Sequence, residues 1–393
     1  MEGFYLKIGN RTSKVPVYIF SKLDMLKKEL TLRGIDIIDL GIGDPDMATP
    51  HFIVNNMIDN LKNSKNHKYP PYRGVDEFRK AVANYYKERF NVILDYENEV
   101  AALIGSKEGI AHLILAATDN DDYIILPNPG YPVYAGSAAI SGCNIYKINL
   151  LEKYNYLPRL ETIYYEVAKK AKMMIVNYPN NPTGAVASKE FYGELIEFGK
   201  KNDIIIVNDG AYLDICSDKD DCISMLQTKG AIETGVEFGT LSKSYNMTGW
   251  RIGYIAGNKE VIDKLMEVKT NFDSGQFTAI QHAGAAALSG GEQVIEDVNK
   301  IYDERRTIIS DFLISKGVNV YSSKGTFYVW FQNPCGYKSE EFAGELLEKT
   351  GVLVTPGNAF GEVGEGYCRI SLTVNNEKLK EALTRIENAK IYQ

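Results

Sequence analysis

The chain has 393 residues, 45% of them apolar and 24% charged, with a formal net charge of −7. That length points to two domains and that apolar content to well-filled cores, while the acidic balance argues against nucleic acid as the main partner, which requires a basic face. No apolar run reaches the roughly 18 residues needed to span a bilayer, and the N-terminus lacks the charged-then-apolar order of a signal peptide.

Cys143, Cys216, Cys222, Cys335 and Cys368 are scattered and show no Cys-x-x-Cys spacing. They read as reduced thiols of a cytoplasmic protein. His51, His67, His112 and His282 lie far apart in the chain, so no metal site is expected.

After a Pro-containing turn at Val15–Tyr18, an apolar stripe from Ile19 to Leu30 predicts a helix. Ile35–Leu40 reads as a strand ending in Gly41-Ile-Gly43-Asp-Pro-Asp46. This is no dinucleotide fingerprint, because the third glycine is missing and Pro45 interrupts the helix start. Such a glycine pair lets backbone approach a ligand. A helix over Pro50–Leu61 and the rigid turn Tyr69-Pro-Pro-Tyr-Arg-Gly74 follow, then a helix over Asp76–Phe90. The strand Val100–Gly105 runs into Ser106 and Lys107, and Ile110–Ala117 is helix-like. Free backbone N–H groups at that strand-to-helix turn suit an anion, although a plain N-cap by Ser106 also fits.

From there strands and helices alternate. Strands are expected at Tyr123–Pro127, Asn144–Ile148, Met173–Tyr178, Ile204–Asn208, Val236–Gly239 and Ile252–Ala256, with helices at Leu160–Lys170 and Lys189–Lys201. The pattern implies a mainly parallel sheet covered on both faces, with ligand beyond the carboxyl ends of its strands. Two long helices, Val261–Asn271 and Glu292–Lys316, flank the small-residue run His282–Leu288. Strands at Val318–Tyr321, Thr326–Phe331, Val352–Thr355 and Tyr367–Leu372, with one helix at Ser339–Lys349, read as a smaller α+β domain. The expected division is 50–285 for the large cofactor-binding domain, with 1–49 and 286–393 forming the small one.

The unusual residues fall at the strand ends. Lys243 stands between Ser242 and Ser244, with Arg251 eight residues on. A reactive amine beside hydroxyls and a guanidinium suits a phosphate-bearing aldehyde such as pyridoxal phosphate. Asp209, at a buried strand tip, would pair with a protonated pyridine nitrogen. Asn181 and Tyr212 could donate to a phenolate oxygen, and Tyr131 offers a ring for stacking. Arg369 alternates with apolar residues on a strand, where a guanidinium calls for a bidentate carboxylate. Taken singly, each except Arg369 is better read as an ordinary turn or cap residue; together they form a site.

The motifs Asn180-Asn-Pro-Thr-Gly184, Asp209-x-x-Tyr212 and Ser242-Lys243 with Arg251 resemble the fold-type I, class I/II aminotransferases, in order and spacing, from Val15 to Arg369. Leu40–Asp46, Gly105–Ile110, Asn177–Val186, Tyr245–Arg251 and Asp273–Phe277 resemble, more narrowly, the LL-diaminopimelate aminotransferases. The resemblance implies that Lys243 binds the cofactor aldehyde and then moves the proton. It implies Asp209 on the ring nitrogen, Asn181 and Tyr212 at the ring oxygen, and Tyr131 stacked on the ring. Ser106, Lys107, Thr240, Ser242 and Arg251 would surround the phosphate, with Tyr69 reaching the phosphate of a neighbouring subunit in a homodimer. Arg369 would take the substrate α-carboxylate beside Asn181 and the Gly43 backbone, and Tyr18 would close over the substrate. Lys107 and Arg251 are expected to lower the Lys243 pKa.

The implied reaction moves an amino group between glutamate and tetrahydrodipicolinate in lysine biosynthesis, with ping-pong kinetics. An aspartate or broad-specificity aminotransferase, a carbon–sulfur lyase and a non-catalytic effector-binding module are the alternatives on this scaffold. Gly210 stands where relatives have Ala or Glu. The Tyr69–Gly74 turn carries Tyr72 and Arg73 and no acid suited to a distal ammonium. Lys107 could serve a distal carboxylate.

Overall fold

The computed structural model of the protein describes residues 9–16, 19–334 and 336–392. Seven strands form the central sheet, in the order Val100–Leu103, Gly253–Gly257, Gly235–Thr240, Ile205–Asp209, Ala171–Val176, Tyr123–Asn128, Asn144–Asn149. Only Gly253–Gly257 runs against its neighbours. The other six point their carboxyl ends the same way.

Strand periodicity explains why both faces are covered. Ile124, Leu126, Met173, Ile175 and Val207 point to one face, where Ile110, Leu113, Tyr134 and Leu265 pack. Ile125, Met174, Val176 and Ile206 point to the other, against Phe78, Val82, Phe191, Leu195 and Ala283. A strand buried on both faces reads as a continuous apolar run, as these do. This large mixed sheet between helices, with a smaller sheet region beside it, is the architecture that the sequence resemblance implies.

That smaller region is a three-stranded antiparallel sheet of Thr355–Pro356, Tyr367–Ser371 and Tyr328–Gln332. Ile38–Asp39 pairs in parallel with Val352–Leu353, which ties the N-terminal segment to the C-terminal part of the chain. Ile38, Leu40, Val352, Ile370, Leu379 and Leu383 share one core.

Several elements differ from expectation. The helix expected over Leu160–Lys170 is a 3-10 turn, Leu160–Thr162, and a short helix, Tyr165–Lys170. Ile163 and Tyr164 between them are extended (ψ 121° and 138°), as β-branched and aromatic residues favour. The run His282–Leu288 is no connector but part of a helix, Thr278–Gly290. Its small residues allow close packing, and a Cβ on Gly284 would lie 3.0 Å from the Phe78 ring. Val318–Tyr321 forms only an isolated bridge, Val320 to Phe331. A C-terminal helix, Asn376–Asn388, was not expected. Its buried Leu379, Ala382, Leu383 and Ile386 have helical spacing, and the Asn375 side chain caps it.

The cysteines also differ. Cys216 and Cys222 form a disulfide across a loop that brings their Cα atoms to 6.0 Å, while Cys143 and Cys368 are buried free thiols. Cys335 lies outside the described residues. Among the described residues no helix is long and apolar enough to cross a membrane.

Candidate active site

A cavity of about 400 Å³ opens beyond the carboxyl ends of the parallel strands. Its lining includes Gly43, Ser106, Lys107, Tyr131, Asn181, Asp209, Tyr212, Thr240, Ser242, Lys243, Arg251 and Arg369. Twelve residues singled out from the sequence thus converge on one space.

Lys243 sits on a four-residue helix, Leu241–Ser244, directly after its strand, and Thr240 caps that turn by accepting the Ser242 N–H at 3.2 Å. The Lys243 Nζ donates to the Gly43 carbonyl at 2.9 Å. Of the flanking serines only Ser242 lines the cavity; Ser244 turns into the core and donates to Asp214 at 2.7 Å. Burial lowers the Lys243 pKa to about 8, with the Arg369 and Arg251 charges acting the same way and Asp44 and Asp209 opposing. The expected helper Lys107 is replaced in this role by Arg369. Burial and the Arg251 charge hold Lys107 itself below its usual range.

Asp209 ends its strand fully buried, which pushes its carboxyl up to about 6; the Tyr134 hydroxyl and the Lys243 charge pull the other way. Tyr134 donates to Oδ2 at 2.6 Å, while buried Oδ1 has no hydrogen-bond partner among the described residues. Asn177 fixes the neighbouring turn. Its Nδ2 donates to the Asp209 carbonyl at 2.6 Å and its Oδ1 accepts the Asn181 N–H at 2.8 Å.

At the opposite wall Arg369 is 1% exposed. Its Nη1 donates to Asn181 Oδ1 at 2.7 Å and its Nη2 to the Gly41 carbonyl at 2.6 Å. The guanidinium stacks over Tyr328, 3.9 Å from the ring centroid, with Phe360 at 4.8 Å. The Tyr212 and Tyr328 hydroxyls share a 2.9 Å hydrogen bond. Gly43 must be glycine here, because a Cβ would meet the Tyr328 hydroxyl at 2.0 Å.

The third wall is the helix Ser106–Ala117. Gly105, at φ 78°, takes the N-cap place without a side-chain cap, so Ser106 is the first helical residue and not the cap. A Cβ on Gly105 would lie 2.4 Å from Arg251 Nη2, so the glycine lets the guanidinium close over the free N–H groups of the helix start. Gln276 donates to the Trp250 carbonyl at 3.0 Å and also to that of Arg251, fixing the loop that presents Arg251.

Residues 35–386 match the family model for aminotransferase class I and II. The chain belongs to this family. The LL-diaminopimelate aminotransferase of Aquifex aeolicus is 49% identical over 98% of this chain and 100% of its own length. That of Halothermothrix orenii is 47% identical, covering 98% of each chain. Among solved structures, apo-BacF from Bacillus subtilis has a TM-score of 0.95 at 35% identity, covering 99% of this aminotransferase and 100% of that chain.

One expected site residue of the aminotransferase does not line the cavity. Tyr69 is 87% exposed at the surface. Tyr18 lies outside the described residues. Ile42, Asp44, Tyr134, Asn177, Ala211, Thr248 and Tyr328 also line the cavity and were not singled out. For Tyr134 the available signal was its place just after Tyr131, which caps the helix Pro132–Ser141 and meets the Tyr134 ring edge-on at 5.6 Å. Glu108, His112 and Asp273 cluster within 4.8 Å, but the buried Lys269 ammonium bonds Glu108 at 2.7 Å and Asp273 at 2.9 Å, so this is an ion-pair network.

Proposed function

We propose that this aminotransferase uses pyridoxal phosphate to exchange an amino group between glutamate/2-oxoglutarate and tetrahydrodipicolinate/LL-diaminopimelate, in lysine biosynthesis. The choice of substrate is carried by the 49% identity, over 98% of the chain, to a relative bearing that name.

The donor set fits the cofactor. The buried, unpartnered Oδ1 of Asp209 suits a protonated pyridine nitrogen, which would hold the carboxylate ionised. The helix start at Ser106 and Lys107, with Thr240, Ser242 and Arg251, suits a phosphate. Tyr131 would stack on the ring, and Asn181 and Tyr212 would meet its phenolic oxygen. Bound there, pyridoxal phosphate supplies an electron-poor ring that stabilises negative charge at the substrate α-carbon.

The chain's own residues do the rest. Arg369 binds the α-carboxylate through its rigid fork, beside Asn181 and the Gly43 backbone. With its pKa lowered to about 8, roughly a tenth of Lys243 is neutral at pH 7 and about half at pH 8, and in that form its Nζ can take the proton from the substrate Cα. Burial of Arg369 keeps water from the α-carboxylate end of the substrate, and burial of Asp209 keeps it from the ring nitrogen. Donor and acceptor occupy one site in turn, which gives ping-pong kinetics.

We place the active enzyme in the cytoplasm as a homodimer with shared sites. Helix His51–Leu61 exposes Phe52, Ile58 and Leu61, and Tyr69, Tyr72 and Phe272 are exposed on adjoining segments. Pro70 lies 3.2 Å from the position of a Cβ on Gly275, so the Tyr69–Gly74 turn packs against the loop after Phe272. From that turn Tyr69 would reach the partner's phosphate. The domain division at residues 49/50 and 285/286 is part of the same reading.

A panel of amino donors with 2-oxoglutarate tests the proposal. Turnover of LL-diaminopimelate supports it. Brisk aspartate turnover with none for LL-diaminopimelate would reject it in favour of an aspartate aminotransferase.

A further inference from the structure

The substrate class proposed above has an ammonium as well as a carboxylate at its distal end. The Tyr69–Gly74 turn offers no acid to meet that ammonium, and Arg73 there is paired with Asp263. The cavity lining holds four cations, Lys107, Lys243, Arg251 and Arg369, against two acids, Asp44 and Asp209. Asp209 is taken by Tyr134 and suits the ring nitrogen. Asp44 has no hydrogen-bond or ion-pair partner among the described residues.

The loop carrying Asp44 touches both the Arg369 guanidinium and the Lys243 amine. Gly41 touches the α-carboxylate clamp, since its carbonyl accepts from Arg369 at 2.6 Å. Gly43 touches the reacting amine, since its carbonyl accepts from Lys243 at 2.9 Å. Asp44 is the next residue; it lines the cavity, and its charge acts on Lys243. The loop is rigid on both sides of Asp44. Thr355 holds the Gly41 carbonyl and Thr373 the Ile42 carbonyl, each at 2.9 Å. Beyond Pro45, Asp46 makes a bidentate pair with Arg305 at 2.7 and 2.9 Å. A carboxylate so placed is preorganised for a ligand cation. It also works against the general base, because its charge favours the protonated form of Lys243. A substrate ammonium beside Asp44 would cancel that effect.

We propose that the Asp44 carboxylate receives the distal ammonium of a diamino-dicarboxylate substrate and is a specificity-determining residue of this aminotransferase. The inference rests on the substrate class proposed above.

The test compares LL-diaminopimelate with 2-aminopimelate, which has the same carbon chain without the distal amino group. Holoenzyme is assayed with 2-oxoglutarate for the wild type, Asp44→Asn and Asp44→Glu. The ratio of kcat/KM for LL-diaminopimelate to that for 2-aminopimelate should fall at least about tenfold in Asp44→Asn, the scale of a lost charge pair. It should fall less in Asp44→Glu, which keeps the charge. A ratio unmoved by Asp44→Asn, with the wild type still using LL-diaminopimelate, would overturn this inference alone. A wild type that turns over 2-aminopimelate but not LL-diaminopimelate would overturn the substrate proposal and this inference with it.

Discussion

The Tyr134 hydroxyl donates a 2.6 Å hydrogen bond to Asp209 Oδ2 and leaves Oδ1 of the same carboxylate buried without a partner. One oxygen is thus held by the protein and the other kept for a ligand. A hydrogen bond to a charged group contributes about 1.5–3 kcal/mol, or roughly ten- to a hundredfold in binding. Tyr134→Phe should therefore weaken pyridoxal phosphate binding by about that factor, read by titrating the cofactor-free protein. Unchanged affinity would mean that Tyr134 only fills space.

Lys243 gives a pH dependence. Its pKa falls from 10.5 to about 8, so the amine is protonated and non-nucleophilic well below pH 8 and neutral above it. The rate of pyridoxal phosphate capture by the cofactor-free protein should rise about tenfold per pH unit below that value and level off above it. A rise continuing past pH 10 would show that burial does not depress this amine.

Arg369 packs between the Tyr328 and Phe360 rings and spends part of its fork on Asn181 and Gly41. A lysine reproduces neither the plane nor the fork. Arg369→Lys should lower kcat/KM by about thirtyfold or more for every α-amino acid donor, at the roughly 2–5 kcal/mol scale of a broken buried charge pair. The bound cofactor's absorption should persist, because Arg369 lies at the substrate end. Loss confined to one donor would contradict an α-carboxylate role.

The site was legible where chemistry and position disagreed with a bland reading. A guanidinium on a packed strand at Arg369 and a carboxylate at the tip of a buried strand at Asp209 are costly without a partner, and both line the cavity. Tyr134 and Tyr328 escaped notice because a tyrosine on a helix or strand is most simply a core residue; their ring packing gives no hint that each hydroxyl reaches a site residue. Asp44 was hidden in a Gly/Pro loop, where an acid is ordinary turn chemistry.

The fold was legible in the strands of the large sheet, whose apolar runs are unambiguous. It was less so where packing overrides pattern. The helix Thr278–Gly290 presents small residues, which read as a connector until Phe78 is seen against Gly284. Val318–Tyr321 has strand-forming residues, yet only Val320 finds a bridge partner.

The most direct measurement is reduction of pyridoxal phosphate-loaded protein with borohydride, followed by peptide mass mapping. One pyridoxyl group on the peptide carrying Lys243, absent from a folded Lys243→Ala variant that has lost nearly all turnover, is the expected result. A label on another lysine, no label, or normal turnover by the variant would contradict the assignment.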